Sequence, residues 1–203
     1  MVKAPPGYLR KPALPARVAP KVALGVVTAT ESRLGPAACA ALLDHAGLTR
    51  LPGPAESLPE DTARALHGAL RRLHPAEAPA ILAEAGRAMA DDLIASRLSP
   101  RAQAMLSAGP WTISAWLLGR WAAQNAWTFA GSAAFAPTSP LTLEMTGNPL
   151  IRGETSPAPL CRFHEALFER LFQRLVDPRL ICHEIACEAS GAPACRFVVA
   201  LGD

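Results

Sequence analysis

The last third of the chain gathers the residues able to do chemistry. Four of the five cysteines, Cys161, Cys182, Cys187 and Cys195, lie there with His164, His183 and Glu184. Thiolate, imidazole and carboxylate are the ligands of zinc, and a structural zinc site takes four of them in a tetrahedron. Cys187 and Cys195 flank the turn-forming run Ser190-Gly191-Ala192-Pro193. Opposed positions across such a hairpin bring two sulfurs to one point. Cys161 stands at the start of an apolar-periodic segment, where a helix dipole favours thiolate. The fourth ligand is open among His183, Glu184 and Cys182. In a regular strand 183, 185 and 187 share one face, so parity favours His183. Pairing Glu184 with Cys187 requires a bulge or bend between them. The alternative is a set of small buried cysteines with no metal.

The elements that must position these residues are legible in outline. Leu160, Phe163, Leu167, Phe168, Leu171, Phe172 and Leu175 predict a helix from about 160 to 176, ended by Asp177-Pro178. Residues 179–186 and 195–201 read as two strands of a hairpin. Leu141 to Met145 alternates with period two, and Trp127, Phe129 and Phe135 also suggest antiparallel strands. The first half is helical. Gly35-Pro36 starts a helix that Gly47 stops, and Asp61 or Thr62 caps another that runs to about His74. A long helix covers about 80–97, and Ser99-Pro100 opens a short one. Trp111 to Gln124 is apolar on most of its surface, so it is expected at the centre of the fold.

Residues 1–31 differ from the rest. Five prolines alternate with lysines and arginines, and no acidic residue precedes Glu31. This predicts an extended basic tail, with Val22 to Thr28 as a short strand. Residues 32–203 then form a single domain. The net charge of +3 is too small and too scattered for a nucleic-acid footprint. The amino terminus lacks a secretory run and no apolar stretch is long enough to span a bilayer. A reducing cytoplasm is expected, where clustered cysteines read as metal ligands before disulfides.

Cys161 in a helix followed by His164, then Glu184, Cys187, Gly191, Cys195 and Phe197, resembles the 4-vinyl-reductase domain family. Arg33-Leu34-Gly35-Pro36 and Ala83-Glu84-Ala85-Gly86-Arg87 resemble it as well. The family includes BchJ-type proteins of bacteriochlorophyll biosynthesis and sensor modules of phenol-responsive activators, with the transport-particle subunit fold more distant. With its short front and no Walker motif, the chain is most similar to the bacteriochlorophyll-pathway members. The resemblance implies an α+β fold, a helical amino-terminal half packed on an antiparallel sheet, with a zinc-clasped carboxyl-terminal helix and hairpin. It implies three cysteines and a glutamate as ligands: Cys161, Glu184, Cys187 and Cys195.

The resemblance also implies a ligand cavity between helices and sheet, lined by Trp111, Trp116, Trp127, Phe129 and Met145, with Trp121 and Phe135 beside them. A magnesium porphyrin would suit indole faces, and Arg87, Arg120 or Arg152 would suit its carboxylates. Axial-ligand candidates are His164, His67, His74 and His45, although His164 could instead orient the zinc site. Reducing a vinyl group needs a redox cofactor. The sequence has no Gly-x-Gly-x-x-Gly after a strand and no ferredoxin spacing. A closed zinc site is redox-inert. A binding protein that hands a magnesium-porphyrin intermediate to pathway enzymes is therefore expected, with magnesium chelatase or the following methyltransferase as partners. A vinyl reductase using an external reductant, and an aromatic-ligand sensor or adaptor, are the alternatives. Pairing of two chains through helices is also expected.

Overall fold

A computed structural model describes residues 16–53 and 56–202. The elements run β1 (Arg17–Val18), α1 (Lys21–His45), β2 (Leu58–Pro59), α2 (Glu60–Leu73), α3 (Ala78–Arg97), α4 (Pro100–Ala108), α5 (Trp111–Gln124) and α6 (Trp127–Ala130). Then follow β3 (Ala134–Ser139), β4 (Thr142–Thr146), α7 (Arg162–Leu175), β5 (Leu180–Ala186) and β6 (Cys195–Leu201). Helices first and an antiparallel sheet last make this an α+β fold. The sheet order is β3-β4-β6-β5.

Helix α3 is the spine, with α1 on one side and α7 on the other. Small residues let the backbones approach. A β-carbon on Gly25 would stand 3.3 Å from Ala85, and one on Gly86 only 2.1 Å from the Phe163 carbonyl oxygen. The glycine of the Ala83 to Arg87 motif is thus a packing requirement of the α3–α7 contact. Phenylalanines fill the space between α7, α6 and the sheet. Phe129, Phe163, Phe168, Phe172 and Phe197 are all buried, several of them edge to face.

Several sequence expectations change. The basic tail to residue 31 applies at most to residues 1–15, which lie outside the described residues. From Arg17 onward the chain is structured, and Val22 to Thr28 is helix, not strand. Val22, Ala23, Val26 and Val27 are buried at helical spacing, and the Thr30 hydroxyl donates to the Val26 carbonyl at 2.7 Å. Gly35, with φ of 83°, breaks the helical geometry before Pro36, so the helix read from Gly35-Pro36 is the second limb of a kinked α1.

Helix α2 begins at Glu60 without a side-chain cap from Asp61 or Thr62. Buried Glu60 turns instead to the Ser132 amide and hydroxyl and to Arg152. Helix α5 is peripheral, not central. Its Ile113, Trp116, Leu117 and Arg120 face solvent, and Ser114, Ala115, Leu118 and Gly119 form the buried side. Small residues on that side let α5 lie close over β3, where a β-carbon on Gly119 would meet Pro137 at 3.0 Å. Trp127 to Ala130 is a helical turn, not a strand, because its backbone folds onto Asn125 and Ala126.

Candidate metal centre

Three segments converge on one buried point. Cys161 is the residue before α7, at the positive end of the helix dipole. Cys187 follows β5, and Cys195 opens β6 opposite Met145. Glu184 lies on β5. One ligand atom from each of Cys161, Glu184, Cys187 and Cys195 lies within 4.8 Å of the others, and all four residues are buried.

The bulge that parity demanded is present. Glu184 pairs with Phe197 and Ala186 with Arg196, so Ile185 is an extra residue pushed outward, 59% exposed. Before it, Leu180, Cys182 and Glu184 point inward. After it, Cys187 does. His183 points away and its ring is 3.7 Å from the Glu165 carboxylate. Among the alternatives for the fourth donor, Glu184 is therefore the one beside the three sulfurs. Cys182 is buried on the inner face of β5 but outside the cluster.

The distances fit a metal. The Cys161 sulfur lies 3.5 Å from that of Cys195 and 3.9 Å from that of Cys187. A tetrahedron with zinc–sulfur bonds of about 2.3 Å has sulfur–sulfur edges of about 3.8 Å. A disulfide would need about 2.05 Å. The Oε2 atom of Glu184 accepts the Cys161 amide at 2.8 Å, while its buried Oε1 finds no hydrogen-bond partner. A buried carboxylate oxygen without a partner is costly unless a cation occupies its free side. Burial pushes the Glu184 carboxyl up to about 7. The hydrogen bonds with Cys187 and Cys195, then burial, push the Cys161 thiol well up, while those with Cys161 and Cys195 pull Cys187 down. Without a cation the cluster resists carrying its full negative charge.

A polar chain supports the cluster. The Asn148 side-chain amide donates to the Cys161 sulfur at 3.3 Å and lies 3.5 Å from Nδ1 of His164. Nε2 of His164 is 3.1 Å from the Phe129 carbonyl. A carbonyl only accepts, so Nε2 carries the proton and Nδ1 faces the Asn148 amide. The Asn148 carbonyl accepts the Leu150 amide at 3.0 Å, which fixes its orientation. Burial lowers His164 to about 4, keeping it neutral. Glu188 holds the same loop by accepting the Gly147 and Asn148 amides at 2.7 and 2.8 Å, and its own amide donates to the Cys195 sulfur at 3.5 Å. Sequence reasoning missed Asn148 and Glu188. The one local signal was the turn-forming Gly147-Asn148-Pro149 run.

The ligand-pocket residues do not share one cavity among the described residues. Phe129, Met145 and His164 are buried in the phenylalanine core. Trp111, Trp116 and Trp127 are each nearly half exposed, and Trp121 is partly buried. Arg120 lies over Trp116 and Arg97 over Trp127. The space expected between helices and sheet is filled by phenylalanine rings, which leaves the larger indoles outside. With one ring nitrogen on a carbonyl and the other facing Asn148, His164 is not available as an axial ligand. His67 is buried too, with Nε2 on the Val22 carbonyl at 3.0 Å.

Comparison with known proteins gives three results. Residues 141–201 match the 4-vinyl-reductase domain family. The chain is 45% identical to the bacteriochlorophyll synthase 23 kDa chain of Cereibacter sphaeroides, over 92% of this chain and 91% of that one. It is 35% identical to the protein of the same name from Rhodobacter capsulatus, over 90% and 86%. Among solved structures it is similar to an H-NOX protein from S. oneidensis in its Fe(II)NO ligation state, with TM-score 0.57, 14% identity, and 91% and 99% coverage. An H-NOX structure concerned with heme distortion gives TM-score 0.56, 12% identity, and 92% and 96% coverage. At these identities the likeness shows the fold alone. No helix of the described residues is long and apolar enough to cross a membrane.

Proposed function

Because this chain belongs to the family of the bacteriochlorophyll synthase 23 kDa chain, we propose that it serves bacteriochlorophyll biosynthesis by binding a magnesium-porphyrin intermediate and delivering it to pathway enzymes. The observation that carries this reading is the identity to those named relatives across nearly the whole of both chains. The fold is compatible with a tetrapyrrole, since the H-NOX proteins that share it are described in terms of heme and porphyrin distortion. Magnesium chelatase and the following methyltransferase are the partners this reading favours.

In this reading Cys161, Glu184, Cys187 and Cys195 hold one zinc ion. The metal would neutralise the cluster and supply cohesion, with four protein donors leaving no position for a substrate. Cys161 anchors α7, and Cys187 and Cys195 anchor the hairpin, so the cluster ties helix to sheet. Asn148 lends a hydrogen bond to the Cys161 sulfur, and His164 braces Asn148. The role is holding, not transforming.

Absorbance and fluorescence titration of the purified chain with magnesium protoporphyrin tests the reading. Stoichiometric binding without turnover, with reduced nicotinamide or reduced ferredoxin present, is expected. Conversion of vinyl to ethyl would make the protein a reductase. Binding of phenols or acyl chains in place of any tetrapyrrole would make it a sensor or adaptor.

A further inference from the structure

A groove of about 300 Å³ opens between the start of α1, the last turns of α3, and α6. The Ala19 amide donates to the Thr128 carbonyl at 2.9 Å and closes one end. Its floor is apolar, with Met89 and Leu93 buried. Trp127 forms a wall, its indole 47% exposed. The Arg97 guanidinium stands 5.1 Å from the ring centroid and pairs with no carboxylate among the described residues. Lys21 shares the groove and meets Asp92 at 3.6 Å, with both side chains about two-fifths exposed. An exposed pair of this kind contributes little, so Lys21 is free to turn to a better anion.

We propose that this groove takes the carboxylate-bearing edge of a planar aromatic dianion, a tetrapyrrole dicarboxylate. The site rests on the binding reading above. Trp127 offers the face that packs on the macrocycle, and Met89 and Leu93 offer the apolar floor. Arg97 and Lys21 take the carboxylates, with the guanidinium already steered by the indole. Small-molecule pockets span roughly 300–1,000 Å³, and this one sits at the lower bound. It grips an edge and leaves the rest of the disc outside. That suits transfer, because an accepting enzyme can reach the pigment before it is released.

The test compares magnesium protoporphyrin with its dimethyl ester, titrated against the full chain. The wild type should bind the diacid about tenfold or more tighter than the diester. Replacing Lys21 and Arg97 together by Gln should abolish that preference, and Trp127→Leu should weaken diacid binding by about tenfold. Ile113→Ser, on the exposed face of α5, should change neither. Zinc content and circular dichroism confirm that each variant folds. Lys21/Arg97 and Trp127 variants that bind the diacid as the wild type does would overturn the groove and leave the function standing. A wild type that binds neither pigment would overturn both.

Discussion

Replacing Gly86 by Ala probes the packing that seats Cys161. A β-carbon there would stand 2.1 Å from the Phe163 oxygen, 3.0 Å from the Phe163 carbonyl carbon and 3.1 Å from the Leu167 nitrogen. All three are backbone atoms of α7, so no side chain can rotate away. Non-bonded heavy atoms rest about 3.5–4 Å apart, so the helices must part by more than about 1 Å. Helix propensity alone would make the substitution stabilising by about 1 kcal/mol. Overpacking costs about 1–3 kcal/mol or more, and a backbone-to-backbone clash belongs at the upper end. A net loss of about 2 kcal/mol lowers the melting temperature by roughly 4–8 °C in a chain of this size. Thermal melting followed by circular dichroism, with zinc in excess, measures it. Zinc should also pass faster to a chelator, because Phe163 lies two residues from Cys161. A variant that melts at or above the wild type would refute the close α3–α7 contact.

Other expectations concern the metal and the pH response. Glu184→Gln keeps an acceptor for the Cys161 amide but removes the charge, and should weaken zinc by at least about tenfold. His183→Ala should leave zinc affinity unchanged, and the opposite order in a competition titration would restore His183 as the fourth donor. Asn148→Ala should cost about 10–100-fold in zinc affinity, read by the same titration. Burial, with Arg71 nearby, holds His67 down to about 3, against an ordinary value of 6.5. The unfolded chain therefore takes up a proton below pH 6.5 that the folded chain refuses. The stability from neutral His67 is full above pH 6.5 and falls by about 1.4 kcal/mol per pH unit towards pH 3. Urea midpoints at pH 7 and pH 5 should show a shallower acid loss in His67→Gln than in the wild type, and equal slopes would contradict the burial argument.

Much of this was legible in the residues, and the failures have physical causes. Periodic phenylalanines and leucines gave α7 nearly to the residue, and Ser99 before Pro100 marked α4, where its hydroxyl accepts the Ala102 amide at 3.3 Å. The β-branched run from Val22 to Thr28 looked like a strand, but burial on α3 outweighs that local preference. Helix α5 misled by composition. Its indoles and Ile113 face outward, because close approach to β3 requires small residues on the inner side. The cluster could be assembled from cysteine spacing. Choosing Glu184 over His183 needed the bulge at Ile185, and no local sequence signal announces a bulge there. The Asn148 and Glu188 supports belong to a loop whose folding over the cluster is a tertiary event.

Native mass spectrometry of the full chain, incubated with magnesium protoporphyrin and a reductant, joins the clasp and the cargo in one observation. The expected species carries one zinc and one chemically unaltered pigment per chain. A pigment that has gained two hydrogens, or a well-folded chain with free thiols and no zinc, would contradict a scaffold that is fastened by metal and holds its ligand unchanged.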